Sequence, residues 1–346
     1  MNRLANDLEH IAAETQGLWD ELRGERVFIT GGTGFFGCWL VESFCHVNRE
    51  LGLGAQATVL SRGPEKFRAK CPHLAEDPAI TLHAGDVRDF EFPAGEFKYI
   101  IHAATETTGK QTPEDLLSAI VAGTERTLKF AGQCGARKFL LTSSGAVYGR
   151  QPVGMTHVPE SYMGAPDPVD AANVYAEGKR ASELMCALYQ KETAANGVVF
   201  EAKIARCWAF VGPHLPLDVH FAIGNFIGDA LAGRPIAIGG DGTPRRSYLY
   251  AADLAIWLWT ILFRGPALVP INVGSAHDVS IRELAEVVAK TLAPGTPVHV
   301  AKQAVPGAAP ARYVPSVERA EALLGLRETV GLEESIRRTA AWYSAR

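Results

Sequence analysis

The chain has 346 residues, 47% of them hydrophobic and 21% charged, as is typical of a globular protein with a substantial core. Its net charge of −4 gives no electrostatic basis for binding nucleic acid or an anionic membrane, and we expect neither as a partner. The N-terminal residues lack the apolar core of a signal peptide. The longest apolar run, Leu254 to Phe263, has about half the length of a membrane helix. The sequence therefore predicts a cytoplasmic protein.

The cysteines and histidines show no spacing that is typical of a metal site. The six cysteines are scattered and form no CxxC pair, which favours free thiols in a reducing compartment. His214, His220 and His277 have no ligand-like spacing either. We therefore expect no metal.

Residues 1–24 carry leucine and isoleucine at helical spacing and predict an amphipathic helix that docks on the main domain. Short β-rich runs then alternate with helical patterns, as in a parallel sheet covered on both faces. The runs lie at 27–30, 57–60, 80–82, 99–102, 138–142 and 198–204, and the main helical patterns at 38–48, 114–134 and 173–195. After Arg206, prolines and glycines break the chain into short elements.

The alternation of strands and helices predicts an α/β protein with a Rossmann-type doubly wound parallel sheet over residues 25–205. Residues 206–346 are expected to form mainly a smaller C-terminal substrate-binding lobe. Part of 246–275 is expected to return to the first domain. An amphipathic helix is predicted to close the chain at 330–343.

A glycine cluster directly follows the first predicted strand. Its glycines form a G-x-x-G-x-x-G pattern between that strand and a helix. Glycine lets backbone amides approach a pyrophosphate closely, and the N-terminus of the helix adds a partial positive charge. The loop therefore predicts a dinucleotide site, formed by Gly31, Thr33, Gly34, Phe35, Phe36 and Gly37.

The ends of the second and third predicted strands bear on the choice of cofactor. An acidic residue after the second strand would bind the ribose of NAD, whereas an arginine can pair with the 2′-phosphate of NADP. The sequence has Ser61 and Arg62 here, so we expect NADP or NAD, with NADP favoured. The third strand ends in Asp86 and Val87, where the carboxylate could bind the adenine amino group or cap the next turn.

Tyr175 and Lys179 are four residues apart and therefore share one face of a predicted helix. An ammonium within a few ångströms stabilises a phenolate, so we expect Lys179 to lower the pKa of Tyr175 and make it an effective acid/base. Upstream, a predicted strand ends in Ser143 and Ser144. A hydroxyl there could hold a substrate oxygen during hydride transfer.

Six motifs occur in a characteristic order: TGGTGFFG at 30–37, GDV at 85–87, HAAT at 102–105, SSGAVYG at 143–149, YAEGK at 175–179 and RCWAFVGP at 206–213. Together they resemble the extended short-chain dehydrogenase/reductase superfamily, in its NAD-dependent epimerase/dehydratase group. The resemblance implies that Tyr175 is the acid/base, that Lys179 binds the nicotinamide ribose and that Ser144 holds the reacting oxygen. The residues it implies along the cofactor after the fourth strand are His102, Ala103, Ala104 and Thr105.

Later segments resemble those with which this family binds a nucleotide-diphosphate sugar. GNFI at 224–227 places Asn225 at the diphosphate, and GDGTPRRSYLY at 240–250 places Arg246 there. Arg312 resembles a later arginine that contacts the same group. A guanidinium suits this role because it is always charged and binds phosphate oxygens two at a time. The resemblance also implies a homodimer formed by the helices at 114–134 and 173–195.

Three departures from the family pattern bear on activity. The family's 4,6-dehydratases carry an Asp-Glu pair where this chain has Gly145 and Ala146, and neither residue can transfer a proton. Ile120 and Ala209 replace two family asparagines. The missing acids make dehydration the less favoured activity.

The expected function is hydride transfer at a ring carbon of a nucleotide-diphosphate hexose, most often C4 in this family. Arg62 favours a 4-ketoreductase that uses NADPH. A 4-epimerase with tightly bound NAD is the alternative. A non-catalytic nucleotide-binding protein is disfavoured because Ser144, Tyr175 and Lys179 are all present.

Overall fold

The computed structural model describes residues 3–105, 111–219 and 221–344. The strands are β1 Arg26–Thr30, β2 Gln56–Ser61, β3 Ile80–Ala84, β4 Tyr99–His102, β5 Lys138–Ser144, β6 Glu201–Cys207, β7 Phe210–Val211, β8 Ile236–Ile238, β9 Arg245–Ser247, β10 Leu249–Tyr250, β11 Ile271–Val273, β12 Asp278–Ser280, β13 Val298–Val300 and β14 Arg312–Tyr313. The α-helices are α1 Ala5–Glu14, α2 Phe35–Glu50, α3 Pro64–Lys70, α4 Pro72–Ala75, α5 Pro113–Gln133, α6 Val174–Ala195, α7 Ala222–Leu231, α8 Ala251–Arg264, α9 Ile281–Leu292, α10 Glu318–Leu324 and α11 Leu332–Ser344.

Seven strands form one sheet in the order β3-β2-β1-β4-β5-β6-β11, and every neighbouring pair is parallel. The order of the strands reverses between β1 and β4. In sheets of this kind, ligands bind at the carboxyl ends of the strands beside such a reversal. The predicted Rossmann-type doubly wound sheet is confirmed, and the glycine loop after β1 lies at its switch point.

Two apolar layers cover the sheet because successive side chains of a buried strand point to opposite faces. Val27 and Ile29 of β1 pack in the layer that contains α1, α2 and α8. Phe28 packs in the opposite layer, which contains residues of α5 and α6. Both faces are thus buried under helices, and the strands are correspondingly rich in apolar residues.

A smaller lobe has its own apolar core, to which α7, α9 and α11 and the parallel pair of β8 and β13 contribute. A separate three-stranded sheet, β12-β9-β14, also lies in the C-terminal part of the chain. Two elements from this part belong to the main sheet's layers: β11 pairs with β6, and α8 packs in the same apolar core as α1 and α2. None of the described helices is both long and apolar enough to cross a membrane.

The boundaries of several elements differ from the predicted ones. The sixth strand begins at Glu201 instead of residue 198, because Val198 and Val199 are 52% and 72% exposed and pack in no layer. The helix after the glycine loop begins at Phe35, so it starts within the loop's own motif. In the N-terminal segment the helix ends at Glu14, and a short 3-10 helix follows at Trp19–Leu22.

Candidate active site

Gly31 and Gly37 of the glycine loop are packed too tightly to carry a β-carbon. Gly31 has a φ of 71°, in the left-handed region that glycine adopts readily. A β-carbon on Gly31 would lie 2.5 Å from the carbonyl carbon of Ala103, at the end of β4. Gly34 directly precedes α2. The backbone amides in the first turn of this helix have no partner within the helix and lie at the end next to the glycine loop. This close approach of bare backbone fits a dinucleotide pyrophosphate, which amides and the helix N-terminus would bind.

The side chains at the adenosine end of this predicted site are basic as well as acidic. Asp86 accepts hydrogen bonds from Arg88 Nε at 2.8 Å and Arg88 Nη2 at 3.0 Å. It also accepts from the Arg88 backbone amide at 3.0 Å, which is the turn-capping role considered above. The hydrogen bonds from Arg88 lower the pKa of Asp86, and the charge of Arg62 acts in the same direction. Asp86 is therefore bound by Arg88 and lies within the electrostatic influence of Arg62.

His102 is a structural residue in this arrangement. It is buried, and its Nδ1 and Nε2 lie 2.9 Å from Thr30 Oγ1 and 3.2 Å from Thr124 Oγ1. Burial, with a smaller effect from the Lys179 charge, lowers the pKa of His102 to about 3. The ring is therefore neutral, and it joins β4 to β1 and α5.

Lys179 is fixed at the carboxyl end of the sheet. Its Nζ donates to Thr105 Oγ1 and to the backbone carbonyl of Thr142, both at 2.8 Å. Burial lowers the pKa of Lys179 to about 8. Ile120 packs against Gly178, the residue before Lys179. A β-carbon on Gly178 would lie 3.1 Å from the isoleucine side chain. The residue that replaces a family asparagine thus supports the helix turn that carries Lys179.

Ser144 and Tyr175 come together as predicted from their motifs, the serine at the end of β5 and the tyrosine in the first turn of α6. Burial raises the pKa of Tyr175 to about 12, while a hydrogen bond with Ser144 acts in the opposite direction. The expected lowering of this pKa by Lys179 is wrong for this structure. The ammonium lies 6.0 Å from the centre of the tyrosine ring and is bound by Thr105 and Thr142, so burial prevails.

The first of the two positions that carry acids in the family's dehydratases, Gly145, is closed off here. A β-carbon on Gly145 would lie 2.6 Å from the ring of Trp208 and 2.8 Å from the hydroxyl of Tyr313. Tyr148 is buried and donates its hydroxyl hydrogen to Asn272 Oδ1 at 3.0 Å. Tyr148 is therefore engaged on the side of β11 and does not replace the missing acids.

Tyr313 is the site residue that the sequence motifs did not assign. Burial raises its pKa, and a hydrogen bond with Ser144 opposes this effect. Two phenols thus lie at one serine, since Ser144 also contacts Tyr175. Residue 313 comes from the short strand β14, and only its position next to Arg312 in the sequence could have drawn attention to it.

The three predicted substrate residues do not all lie together. Arg246 on β9 is the register partner of Tyr313, and its guanidinium lies 5.8 Å from the centre of that ring. Arg312 lies on the other face of the strand pair, where it binds Asp278 at 2.8 Å. Asn225 of α7 lines a separate cavity of about 270 Å³ that also includes the glycine turn at 239–242. Of the three, Arg246 is the one beside the Ser144 centre.

The order of the motifs and this geometry agree with the comparison to known sequences. A profile of the NAD dependent epimerase/dehydratase family matches residues 27–274. The chain belongs to this family. The resemblance to its extended short-chain dehydrogenases is therefore confirmed, and the cofactor is a nicotinamide dinucleotide.

Individual relatives of the family align over most of the chain. UDP-glucuronic acid decarboxylase 2 of Arabidopsis thaliana is 29% identical, over 91% of this chain and 67% of its own length. The solved UDP-glucose 4-epimerase of Thermotoga maritima has a TM-score of 0.76 at 18% identity, over 92% of this chain and 99% of its own. The dTDP-glucose 4,6-dehydratase of Streptomyces venezuelae, solved with NAD bound, has a TM-score of 0.76 at 24% identity. The match covers 93% of this chain and 97% of that one. These structural likenesses show the fold.

Proposed function

We propose that the protein transfers hydride at a single ring carbon, C4, of a nucleotide-diphosphate hexose. The observation that carries the proposal is the composition of the site. It has hydroxyl groups and a lysine, but the two positions that follow Ser144 carry no ionisable atom. One proton exchanged at one oxygen accompanies hydride transfer, whereas removal of water needs further acid/base groups. Gly145 and the adjacent Trp208 ring leave no room for an acidic side chain at position 145. This supports hydride transfer without removal of water.

The roles of the chain's residues follow from their contacts. The cofactor, when bound, supplies or accepts the hydride. During reduction of a ketone, the Tyr175 hydroxyl donates its proton to the carbonyl oxygen and becomes a phenolate. Ser144 holds the same oxygen through its hydroxyl, and Tyr313 in turn holds Ser144. Lys179, anchored by Thr105 and Thr142, keeps a donor at the ribose end of the site.

Arg246 supports the substrate class. It lies beside Tyr313 at the edge of the centre, where a guanidinium would bind the diphosphate of a nucleotide sugar. The curated relatives and solved neighbours are named for UDP-glucuronic acid, UDP-glucose and dTDP-glucose, which all have this diphosphate. Asn225 and Arg312 stay in the proposal as outer contacts, with Arg312 requiring release from Asp278 to reach the substrate.

The direction we favour is reduction of a 4-keto sugar. A phenol whose pKa is raised to about 12 holds its proton at neutral pH and is ready to donate it. Arg62, directly after β2, favours NADPH, the reductant that such a reaction consumes. A 4-epimerase is the alternative, because the same groups can return hydride to the opposite face of the ketone.

A decarboxylase is a second candidate, which the names of the curated relatives favour. Oxidation at C4 of a hexuronic acid gives a β-keto acid. Its C5–C6 bond breaks with loss of carbon dioxide, and the enolate that remains takes up a proton at C5. Because the leaving group is carbon dioxide, this route needs no acid to protonate a leaving hydroxyl. UDP-glucuronic acid is therefore included among the substrates to be tested.

The experiment is mass spectrometry of the nucleotide released from denatured protein, followed by assays with a panel of nucleotide sugars. The panel contains 4-keto-6-deoxyhexoses, neutral hexoses and UDP-glucuronic acid. An empty site and NADPH consumption with a 4-keto sugar support the reductase. Retained NAD with inversion at C4 supports the epimerase, and release of carbon dioxide supports the decarboxylase. No conversion of any of these would contradict the proposal.

A further inference from the structure

Three potential metal ligands that are distant in sequence meet behind the glycine loop. Cys38 lies in the first turns of α2, Cys71 lies between α3 and α4, and His214 follows β7. The two sulfurs and a ring nitrogen of the histidine all lie within 4.8 Å of one another. All three residues are buried. This group is called the Cys-Cys-His cluster below.

His214 has two features that a purely structural histidine would not need. Within the described residues, neither of its ring nitrogens has a partner at hydrogen-bond distance, although its side chain is only 2% exposed; the carboxylate oxygen Glu42 Oε1 is 3.8 Å from Nε2. Leaving a buried polar group unpaired is unfavourable, and nearly all such groups have partners. Its backbone φ is 71°, in the left-handed region that residues other than glycine rarely adopt. Both costs are explained if a ligand holds the ring in place.

We propose that the Cys-Cys-His cluster binds a zinc ion. Thiolate sulfur and imidazole nitrogen are preferred ligands of zinc, and harder metals favour oxygen. Two thiolates and a neutral imidazole also balance the charge of Zn²⁺, which lowers the cost of burying the ion. Zn–S and Zn–N bonds of about 2.3 and 2.0 Å place ligand atoms within about 4 Å of one another. Closing the cluster around zinc therefore requires only small movements of the side chains.

Buried groups around the cluster support the histidine. Glu42 lies one turn beyond Cys38 on α2, and its Oε1 is 3.8 Å from His214 Nε2. The same oxygen lies 2.8 Å from Nε2 of His73, two residues after Cys71. A carboxylate next to a metal-binding histidine commonly orients its ring. Glu42 is thus a positioning residue of the proposed site.

The zinc would connect two parts of the chain that are distant in sequence. Cys38 directly follows Gly37, the last glycine of the dinucleotide motif, and its Sγ lies 3.7 Å from the carbonyl oxygen of Thr33. His214 belongs to the segment that leads into the smaller lobe. A metal here would tie the glycine loop to that lobe. It lies outside the Ser144–Tyr175 centre.

Metal analysis of the purified protein tests the proposal. After expression with added zinc, plasma mass spectrometry should find about one zinc per chain, since the described residues contain one such cluster. Cys45→Ala is the matched control, because Cys45 is buried on the same helix but lies outside the cluster. This variant should keep its zinc, whereas Cys38→Ala and Cys71→Ala should lose it. Zinc-free wild-type protein, or zinc retained in both variants, would overturn the proposal.

Cobalt substitution tests the ligands without relying on variants that could fail to fold. Co²⁺ added to the metal-free wild-type protein should give the intense sulfur-to-cobalt absorption of thiolate ligands. His214→Asn, which tolerates the left-handed backbone, should weaken Co²⁺ binding at least tenfold while the circular dichroism spectrum is unchanged. Absence of the sulfur-to-cobalt band, or a Cys38–Cys71 disulfide in protein purified under reducing conditions, would overturn the proposal.

Discussion

The rings of Trp208 and Tyr313 lie with their centroids 4.4 Å apart and together close the wall of the site beside Gly145. Trp208 comes from the segment after β6, and Tyr313 from the end of β14. Their packing leaves no room for a side chain at position 145. The absence of an acid there is therefore part of how this site is built, and a simple substitution would not restore one.

Gly145→Ala should destabilise the fold. The added methyl would lie 2.6 Å from the Trp208 ring, and such overpacking costs about 1–3 kcal/mol. Chemical denaturation measures the free energy of unfolding. Gly154→Ala is the control, because no atom lies within 4 Å of its β-carbon position. Equal stability of the two variants would show that the wall beside Ser144 can yield.

Tyr175→Phe should reduce turnover by about 10²–10⁴-fold, the contribution typical of a general acid/base, while the dinucleotide still binds. The aromatic ring is kept, so packing in the first turn of α6 changes little. Tyr189→Phe on the same helix provides the control and should retain activity. Steady-state rates and cofactor titration measure the two effects separately. Normal turnover of Tyr175→Phe would remove this residue from the mechanism.

The pH profile gives a second readout of the same residue. Its raised pKa of about 12 means that the phenolate fraction grows about tenfold per pH unit throughout the neutral range. Alcohol oxidation needs the phenolate and should therefore accelerate as the pH rises. Ketone reduction needs the protonated phenol and should not accelerate. In Tyr175→Phe the acceleration of oxidation should disappear.

Arg62→Ala should weaken binding of NADP(H) much more than binding of NAD(H). A charged hydrogen bond to the 2′-phosphate would be lost, and NAD lacks that group. Arg68→Ala, on the exposed side of α3, is the control for a general loss of positive charge. Fluorescence titration with both reduced cofactors measures the difference. Equal effects on both would contradict the preference for NADP and strengthen the epimerase alternative.

The protein should be a homodimer formed through α5 and α6. These two helices pack against each other, and α6 still exposes Leu184 and Leu188 by 61% and 58%. A two-fold axis would bury both leucines, as is common in soluble oligomers. Light scattering at micromolar concentration should give twice the chain mass. A monomer would refute this prediction.

The interface can be tested with charged substitutions. Leu184→Glu combined with Leu188→Glu should shift the protein towards the monomer. In a dimer, the introduced carboxylates of the two protomers would be buried next to one another at the two-fold axis. Leu323→Glu, at a similarly exposed leucine of α10, is the control and should leave the mass unchanged.

Local patterns were sufficient to predict the sheet and the core of the site. The β-rich runs gave six of the seven strands of the sheet, and the glycine spacing gave the loop at the switch point. The spacing of Tyr175 and Lys179 placed both on α6. The end of a strand brought the hydroxyls of Ser143 and Ser144 to the same edge of the sheet, and the family resemblance singled out Ser144. These features depend on residues that are close in sequence or on a regular alternation.

Features that depend on tertiary packing could not be predicted in this way. Tyr313 reaches Ser144 only because β14 pairs with β9. Asp86 binds Arg88 rather than remaining available, and burial outweighs the effect of Lys179 on Tyr175. The Cys-Cys-His cluster has no sequence spacing that would reveal it, since its three residues come from separate segments. His220, which we considered with the other histidines, lies outside the described residues.

The central claim is that chemistry is confined to C4, and product analysis tests it most directly. Nucleotide hexoses that carry deuterium at C4, including dTDP-glucose, GDP-mannose, CDP-glucose and a UDP-hexose, are incubated with NAD and NADP. We predict that deuterium moves between C4 and the cofactor while the hexose keeps all its oxygen atoms. Positions 145 and 146 provide no acid for removing the hydroxyl at C6. A 4-keto-6-deoxy product, lighter by one water molecule, would contradict the account.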